Sequence, residues 1–463
     1  MAPSAVHPFP PNPTLDTTSK LTKAGTNNVL KTLSISTSHL APLDSSKLTI
    51  TRTLNPRPVP SPNSPEVWSQ KVATDHMLTC TWSIATGWGT PEIKPYGPFS
   101  IMPTASVLHY ATECFEGMKA YRGHDGKLRL FRPERNCARM LKSATRIALP
   151  GFDPKELQVL IERFIALDAP RWLPEEQKGN FLYLRPTMIG TAPAIGVQKP
   201  AEALLYVIAV CFPPLDEPEK APGALPQAPS QAVSNGVVSE KVGSSKGKGM
   251  RLLASKEDMC RAWPGGFGNA KVGANYGPSL MAQGEAKERG YHQILWLLSE
   301  ECYVTEAGAS NFFVLWRTKE GKLQLVTAPL GDGVILDGVT RQSVLDIVRE
   351  KLADEVEVVE RKYTMHEVVE AAEEGRLVEA FGSGTAFFVA PVRDIHFRGK
   401  DIELPLAKGE EATYALSIKS WLKDIMYGNV QHGWGVVVDE EAAFSAEPSP
   451  SALDRANEWL QRG

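Results

Sequence analysis

From residue 214 to 250 the chain runs PLDEPEKAPGALPQAPSQAVSNGVVSEKVGSSKGKGM, dominated by Pro, Ala, Ser, Gly and Lys with almost no large apolar side chain. Such a segment cannot bury a core and is expected to be a mobile linker. It forces the 463 residues into separate bodies on either side of it, in keeping with a length too great for one ordinary core. The expected order is a flexible tail over 1–64, a small α+β domain over 65–213, the linker over 214–250, a larger domain over 251–440 and a C-terminal extension over 441–463.

The small domain opens with short strands and turns from VWSQKVATDHMLTCTW to PFSIMPTASVLHY. KLRLFR alternates like a strand, and PERNCARMLKSATRIAL follows as a helix with proline in its first turn, where the missing N–H costs nothing. KELQVLIERFIAL reads as a second amphipathic helix. FLYLRPTMIGT and EALLYVIAVCF read as neighbouring strands, the first placing Tyr183 and Arg185 on one face because strand side chains alternate. Beyond the linker, HQILWLLSEECYVTEAGASNFFVLW reads as two strands meeting at a turn around Glu306, Gly308 and Asn311. A helix begins near Val339 or Thr340, with Asp337 or Gly338 as caps. RLVEAFGSGTAFFVAPVRDI is a strand interrupted by a Gly-Ser-Gly-Thr turn, EATYALSIKSWLKDIMYG a long helix, and Ser451 with Asp454 a capping box near the C-terminus.

Composition narrows the function classes. A net charge of -3 supplies no electrostatic footprint for nucleic acid, and no basic run marks a membrane surface. The longest apolar run, LLYVIAVCF, is far too short to span a bilayer. Six scattered cysteines without a CxxC pair point to free thiols rather than disulfides or zinc; no metal site is expected. The first 39 residues are rich in Ser, Thr and Pro and have Asp16 as their only acid. That is half of an organelle-targeting signature, lacking its arginines, and leaves mitochondrial and cytoplasmic locations undecided.

One stretch carries candidate chemistry by itself. In GGFGNAKVGANYGPSL, glycines let backbone approach something closely, and Lys271 sits among small and apolar neighbours. A lysine so placed can serve as a Schiff-base amine, although a solvated loop lysine is the commoner occupant of such a segment.

Three further segments, together with that one, resemble a known family. TECFEGMKAYRG, NAKVGANYGPSL, YVTEAGASNFFVLW with ILDGVTRQSVLDI, and FGSGTAFFVAPV are similar, in order and spacing, to the motifs of the branched-chain amino-acid aminotransferases, which are pyridoxal-phosphate enzymes of fold type IV. The resemblance covers about Thr74 to Val438 except the linker. It implies that Lys271 is the covalent anchor of pyridoxal 5'-phosphate and the base that moves the substrate proton. It implies that Glu306 faces the pyridine nitrogen, keeping the ring an electron sink, and that Tyr276 bonds the ring oxygen. Arg139, the backbone of Leu336, Val339 and Thr340, and the hydroxyl of Thr385 are implied as the rest of the cofactor site, the helix N-terminus favouring an anion. Tyr110, Phe115 and Tyr183 would wall an apolar substrate pocket. Arg185 would accept the distal carboxylate of glutamate or 2-oxoglutarate, and Ala386 with Thr385 the α-carboxylate.

The activity so implied is transfer of the amino group of leucine, isoleucine or valine to 2-oxoglutarate through the pyridoxamine form, in a homodimer whose small-molecule partners are amino acids and 2-oxo acids. Two alternatives stay open: a fold type IV aminodeoxychorismate lyase, which would share the cofactor residues, and a diverged paralogue acting on another amino acid or not catalytic. Ser69 stands where an aromatic wall residue is expected, and the linker replaces the family's usual interdomain segment. Phe387 and Ala390 occupy the positions of the CxxC pair of animal members, so that thiol switch is expected to be absent.

Overall fold

The computed structural model describes residues 40–215, 249–386 and 388–441. The targeting segment, most of the linker, Phe387 and the capping box at Ser451 lie outside the described residues. No described helix is long and apolar enough to cross a membrane.

The architecture is α+β, built on two sheets. Among the described residues the first has ten strands, its main path running Thr49–Ile50, Glu92–Pro95, Ala73–Ser83, Glu202–Cys211, Phe181–Gly190, Met118–Arg122, Leu128–Phe131 and Gly435–Val437. Phe181–Gly190 and Glu202–Cys211 pair antiparallel from Leu182 opposite Cys211 to Gly190 opposite Ala203. Helices Pro133–Arg146 and Pro154–Trp172 cover this sheet. Cys137, Met140, Ala144, Leu160, Ile161 and Phe164 are fully buried against strand residues such as Leu130, Leu184 and Val207. Each helix has proline in its first turn, and the second runs five residues beyond the predicted Leu167, with Pro170 inside it.

Two boundaries differ from expectation. The first sheet and its core reach back well before residue 65: Thr49 and Ile50 pair with Glu92 and Ile93, and Leu43 is buried in the core. The segment from 51 to 60, expected to be part of the tail, has no helix or strand, and two of its N–H groups go to side chains of the first sheet, Thr53 to His76 Nε2 and Arg57 to Asp75 Oδ1. At the other end, Gly435–Val437 pairs with Leu128–Phe131, so the chain returns to the first sheet.

The second sheet has nine strands among the described residues. The path Tyr303–Ala307, Gln293–Leu298, Met250–Ala254, Phe388–Phe397, Leu377–Gly384, Ser310–Arg317 closes on itself, because Glu306 and Ala307 also pair with Asn311 and Ser310. The ring of six strands encloses Leu252, Leu295, Val304, Phe312, Val314, Ala380 and Ile395 in one cluster. Helices Val339–Lys351 and Thr413–Met426 pack on its other side with Phe313 and Phe381, in a cluster that also takes Tyr121, Phe131 and Phe181 from the first sheet.

The segment read as two strands is three. Gln293–Leu298 turns back through Ser299 (φ 64°) and Cys302 (φ 58°) before Tyr303–Ala307, and a second turn leads to Ser310–Arg317. Glu306 therefore lies on a strand and not in a turn. Val339–Lys351 starts where expected, with Gly338 as its cap. Leu377–Gly384 and Phe388–Phe397 form an antiparallel hairpin, with Thr385 and Ala386 in its tip.

Candidate active site

Lys271 is held by its backbone before its side chain is considered. Its N–H donates to Ser143 Oγ at 2.8 Å, and its carbonyl accepts from Phe115 N–H at 3.0 Å. The loop after it is pressed so closely on the first sheet that a Cβ at Gly273 would meet Glu113 Oε1 at 1.9 Å. A larger residue there would have to displace the Glu113 carboxylate. One 3-10 turn later comes Tyr276, whose hydroxyl accepts from Lys271 Nζ at 3.0 Å. Phe115 lies beside both, its ring centroid 4.8 Å from Nζ and 5.1 Å from the Tyr276 ring.

Glu306 is 3% exposed. Its Oε1 accepts from Leu336 N–H at 3.1 Å and Asn311 Nδ2 at 3.0 Å, while Oε2 lies 2.7 Å from Arg261 Nε. Burial pushes this carboxyl above its ordinary range; the Arg261 charge, the Leu336 N–H and the Lys271 charge pull the other way. A buried carboxylate needs such partners to remain ionised. Arg261 is fixed in turn by the carbonyls of Val334 at 2.6 Å and Gly268 at 3.3 Å.

Arg139 projects from Pro133–Arg146 and forms a fork-to-fork pair with buried Glu116, Nε to Oε1 and Nη2 to Oε2, both 2.7 Å. Its Nη1 donates to Asp337 O at 2.8 Å. Burial works against the charge, and Glu116 outweighs it, so Arg139 holds its proton above the usual guanidinium value. Asp337 leads into Gly338, where a Cβ would stand 2.1 Å from Asn311 Oδ1. The first N–H groups of Val339–Lys351 have no intrahelical acceptor, by the geometry of any helix start. One cavity is lined by Gly117, Asn136, Val339, Thr340 and Thr385. Thr385 Oγ1 donates to Gly117 O at 3.3 Å, and Lys119 Nζ to Ala386 O at 3.3 Å, tying the hairpin tip to the first sheet.

Of the expected substrate residues, Phe115, Tyr183 and Arg185 join this group. Arg185 Nη2 donates to the Tyr183 hydroxyl at 3.2 Å and its guanidinium lies 4.9 Å from the Phe115 ring centroid. Tyr183 stacks on Phe212 at 4.8 Å. Tyr110 does not join it: this side chain is 38% exposed, and its hydroxyl donates to Ile195 O. Leu336 is placed by its N–H on Glu306.

Glu116, Asn136 and Arg261 do not stand out in the sequence, since each is defined by a partner 20 or more residues away along the chain, while Asn311 shows there only as a turn residue. The one local signal is that Glu116 and Arg261 are charges set in apolar and small-residue runs, FEGM and CRAWPGG, which a buried pair would explain.

The arrangement brings an amine and a buried carboxylate, and a phenol and a buried guanidinium, within electrostatic reach of one another. That donor set fits a flat ring carrying a basic nitrogen, a phenolic oxygen and a phosphate. A family model described as Amino-transferase class IV matches residues 113–395. The chain is 46% identical over 405 residues to the cytosolic branched-chain-amino-acid aminotransferase of Saccharomyces cerevisiae, covering 87% of this chain and 99% of the other. It is 44% identical over 398 residues to the mitochondrial enzyme of Schizosaccharomyces pombe, covering 85% and 86%. Among solved structures it is similar to a T.th. branched-chain amino acid aminotransferase complexed with N-(5'-phosphopyridoxyl)-L-glutamate. There the identity is 25%, the TM-score 0.55, and the coverage 78% of this chain and 98% of that one.

Proposed function

The chain belongs to the class IV aminotransferases, and we propose that it moves the amino group of leucine, isoleucine or valine to 2-oxoglutarate with pyridoxal 5'-phosphate as cofactor. The observation that carries this reading is the joint placement of Lys271 against Tyr276 and of a buried Glu306 against Arg261, beside a helix start and Arg139. The cofactor supplies a carbonyl carbon to receive the amino group and a ring to withdraw electrons.

The protein's own contribution follows from its donors. Lys271 Nζ would hold the cofactor and supplies the base for the proton at the substrate Cα. Tyr276 gives a hydrogen bond to the ring oxygen. Glu306, kept ionised by Arg261, holds a proton at the ring nitrogen. Arg139, the N–H groups of Val339 and Thr340, and Thr385 Oγ1 bind the phosphate, while Leu336 acts by steadying Glu306. Phe115 and Tyr183 offer the apolar wall for a branched side chain. Arg185 accepts the distal carboxylate in the other half-reaction, and the Thr385–Ala386 tip takes the α-carboxylate.

Tyr110 fits a homodimer. It lies among exposed apolar side chains, Met102 (60%), Leu108 (57%), Ile195 (52%) and Val197 (86%), on segments that bond to one another. Such a patch marks an interaction surface, and across it Tyr110 would wall the partner subunit's pocket. The two sheets would serve as the small and large domains, with the segment between 214 and 250 as their linker.

A panel of amino donors assayed with 2-oxoglutarate tests the function. Turnover with leucine, isoleucine and valine well above other donors is expected. Pyruvate release from aminodeoxychorismate without amino transfer, or preference for an unrelated donor, would replace this reading.

A further inference from the structure

We propose that Glu116 is a positioning residue that sets the protein's selectivity for a phosphorylated cofactor, acting through Arg139. The inference rests on the aminotransferase reading, because it takes the ligand to be pyridoxal 5'-phosphate.

Glu116 is 1% exposed and takes part in none of the chemistry assigned above. Its charge lies one guanidinium away from the place where a phosphate binds, so Coulomb repulsion alone makes it a poor choice there. A second effect opposes that repulsion. Oε1 accepts from Arg139 Nε, and Oε2 accepts from Arg139 Nη2, from Asn136 Nδ2 at 2.8 Å and from Gly117 N–H at 3.3 Å. With Nη1 on Asp337 O, three of the five N–H groups of Arg139 are spent. Two remain, one on each terminal nitrogen. The plane of the guanidinium is fixed by acceptors on two elements, the Glu116 turn and the residue before Gly338.

Without the clamp, a long side chain samples many rotamers and loses this alignment. Bidentate pairing removes that freedom before the ligand arrives, as outer-shell carboxylates do for metal ligands. The two effects predict opposite signs. If repulsion dominates, removing the charge of Glu116 tightens phosphate binding; if orientation dominates, it weakens binding of the phosphorylated cofactor and spares the unphosphorylated one.

The full-length protein, freed of cofactor, is titrated with pyridoxal 5'-phosphate and separately with pyridoxal, following the visible absorption of the lysine-bound cofactor. For Glu116→Gln the affinity for pyridoxal 5'-phosphate should fall roughly 10- to 100-fold, the range that loss of an outer-shell partner costs at metal sites. Pyridoxal affinity should change by less than about twofold, a few tenths of a kcal/mol on the tenfold-per-1.4 scale. Added to Arg139→Ala, the same change should cost little more, since residues acting as one unit are not additive. Equal losses for both ligands, tighter binding of the phosphorylated one, or a full further loss on top of Arg139→Ala would each overturn the proposal. If Glu116→Gln does not fold, Glu116→Asp reads the same ratio, its shorter carboxylate reaching Arg139 less well. A wild-type protein that shows no visible band with either ligand removes the aminotransferase reading and this inference together; a normal wild-type band with an unselective variant removes only the inference.

Discussion

Glu306 and Arg261 make a test at the scale of two side chains. Glu306 has its carboxyl raised above the ordinary 4.5, burial being the largest cause and Arg261 the first opposing charge. A reaction that needs this carboxylate ionised is complete above the raised value and is lost as pH falls through it. The acid limb of the kcat profile should therefore follow the charges that face this carboxyl. Arg261→Gln withdraws the main opposing charge, so the limb should move to higher pH, with cofactor still bound; an unmoved limb would separate Arg261 from the chemistry. Lys271 is marked by the glycine-rich stretch around it, whereas Tyr276, Glu306 and Arg139 are legible in the sequence only through resemblance of whole motifs. Arg261 and Glu116 are not, because an ion pair joining residues 45 apart, as Arg261 and Glu306 are by their numbers, or 23 apart, as Glu116 and Arg139 are, leaves no local pattern.

At the level of elements, strong local signals carry through into the fold. Proline at the first turn marks Pro133–Arg146, and a short apolar run marks Glu202–Cys211, whose odd and even positions differ in burial. The turn between Leu298 and Tyr303 escapes a reading of the sequence because it has neither glycine nor proline; Ser299 and Cys302 take the left-handed conformation instead, which bulk and chirality disfavour. Closure of the ring is equally hidden, since its strands are contributed from residues as far apart as 250 and 397. One helix start joins structure and site. Gly338→Ala would drive a Cβ to 2.1 Å from Asn311 Oδ1, and Asn311 also bonds Glu306 and Leu336 O. Overpacking of this kind costs about 1–3 kcal/mol, so thermal unfolding should come earlier and cofactor should bind more weakly. Unchanged affinity would show that the helix start does not depend on this approach.

For the whole molecule, the composition of 214–250 says nothing of where the first sheet draws its outer strands, and that sheet takes in residues from 41 and from 435 to 437. Both additions are short strands without strong periodicity. Sedimentation should report twice the monomer mass, and Tyr110→Ala should raise KM for branched-chain donors without dissociating the dimer; a monomer with full activity would remove the assignment of Tyr110 to a partner's pocket. Everything else hangs on Lys271 as the covalent anchor. Borohydride reduction of the cofactor-loaded protein followed by peptide mass mapping tests that directly. The cofactor's mass should appear on the peptide containing Lys271 and vanish in Lys271→Ala, whereas an adduct on any other lysine, or one that survives in that variant, would contradict it.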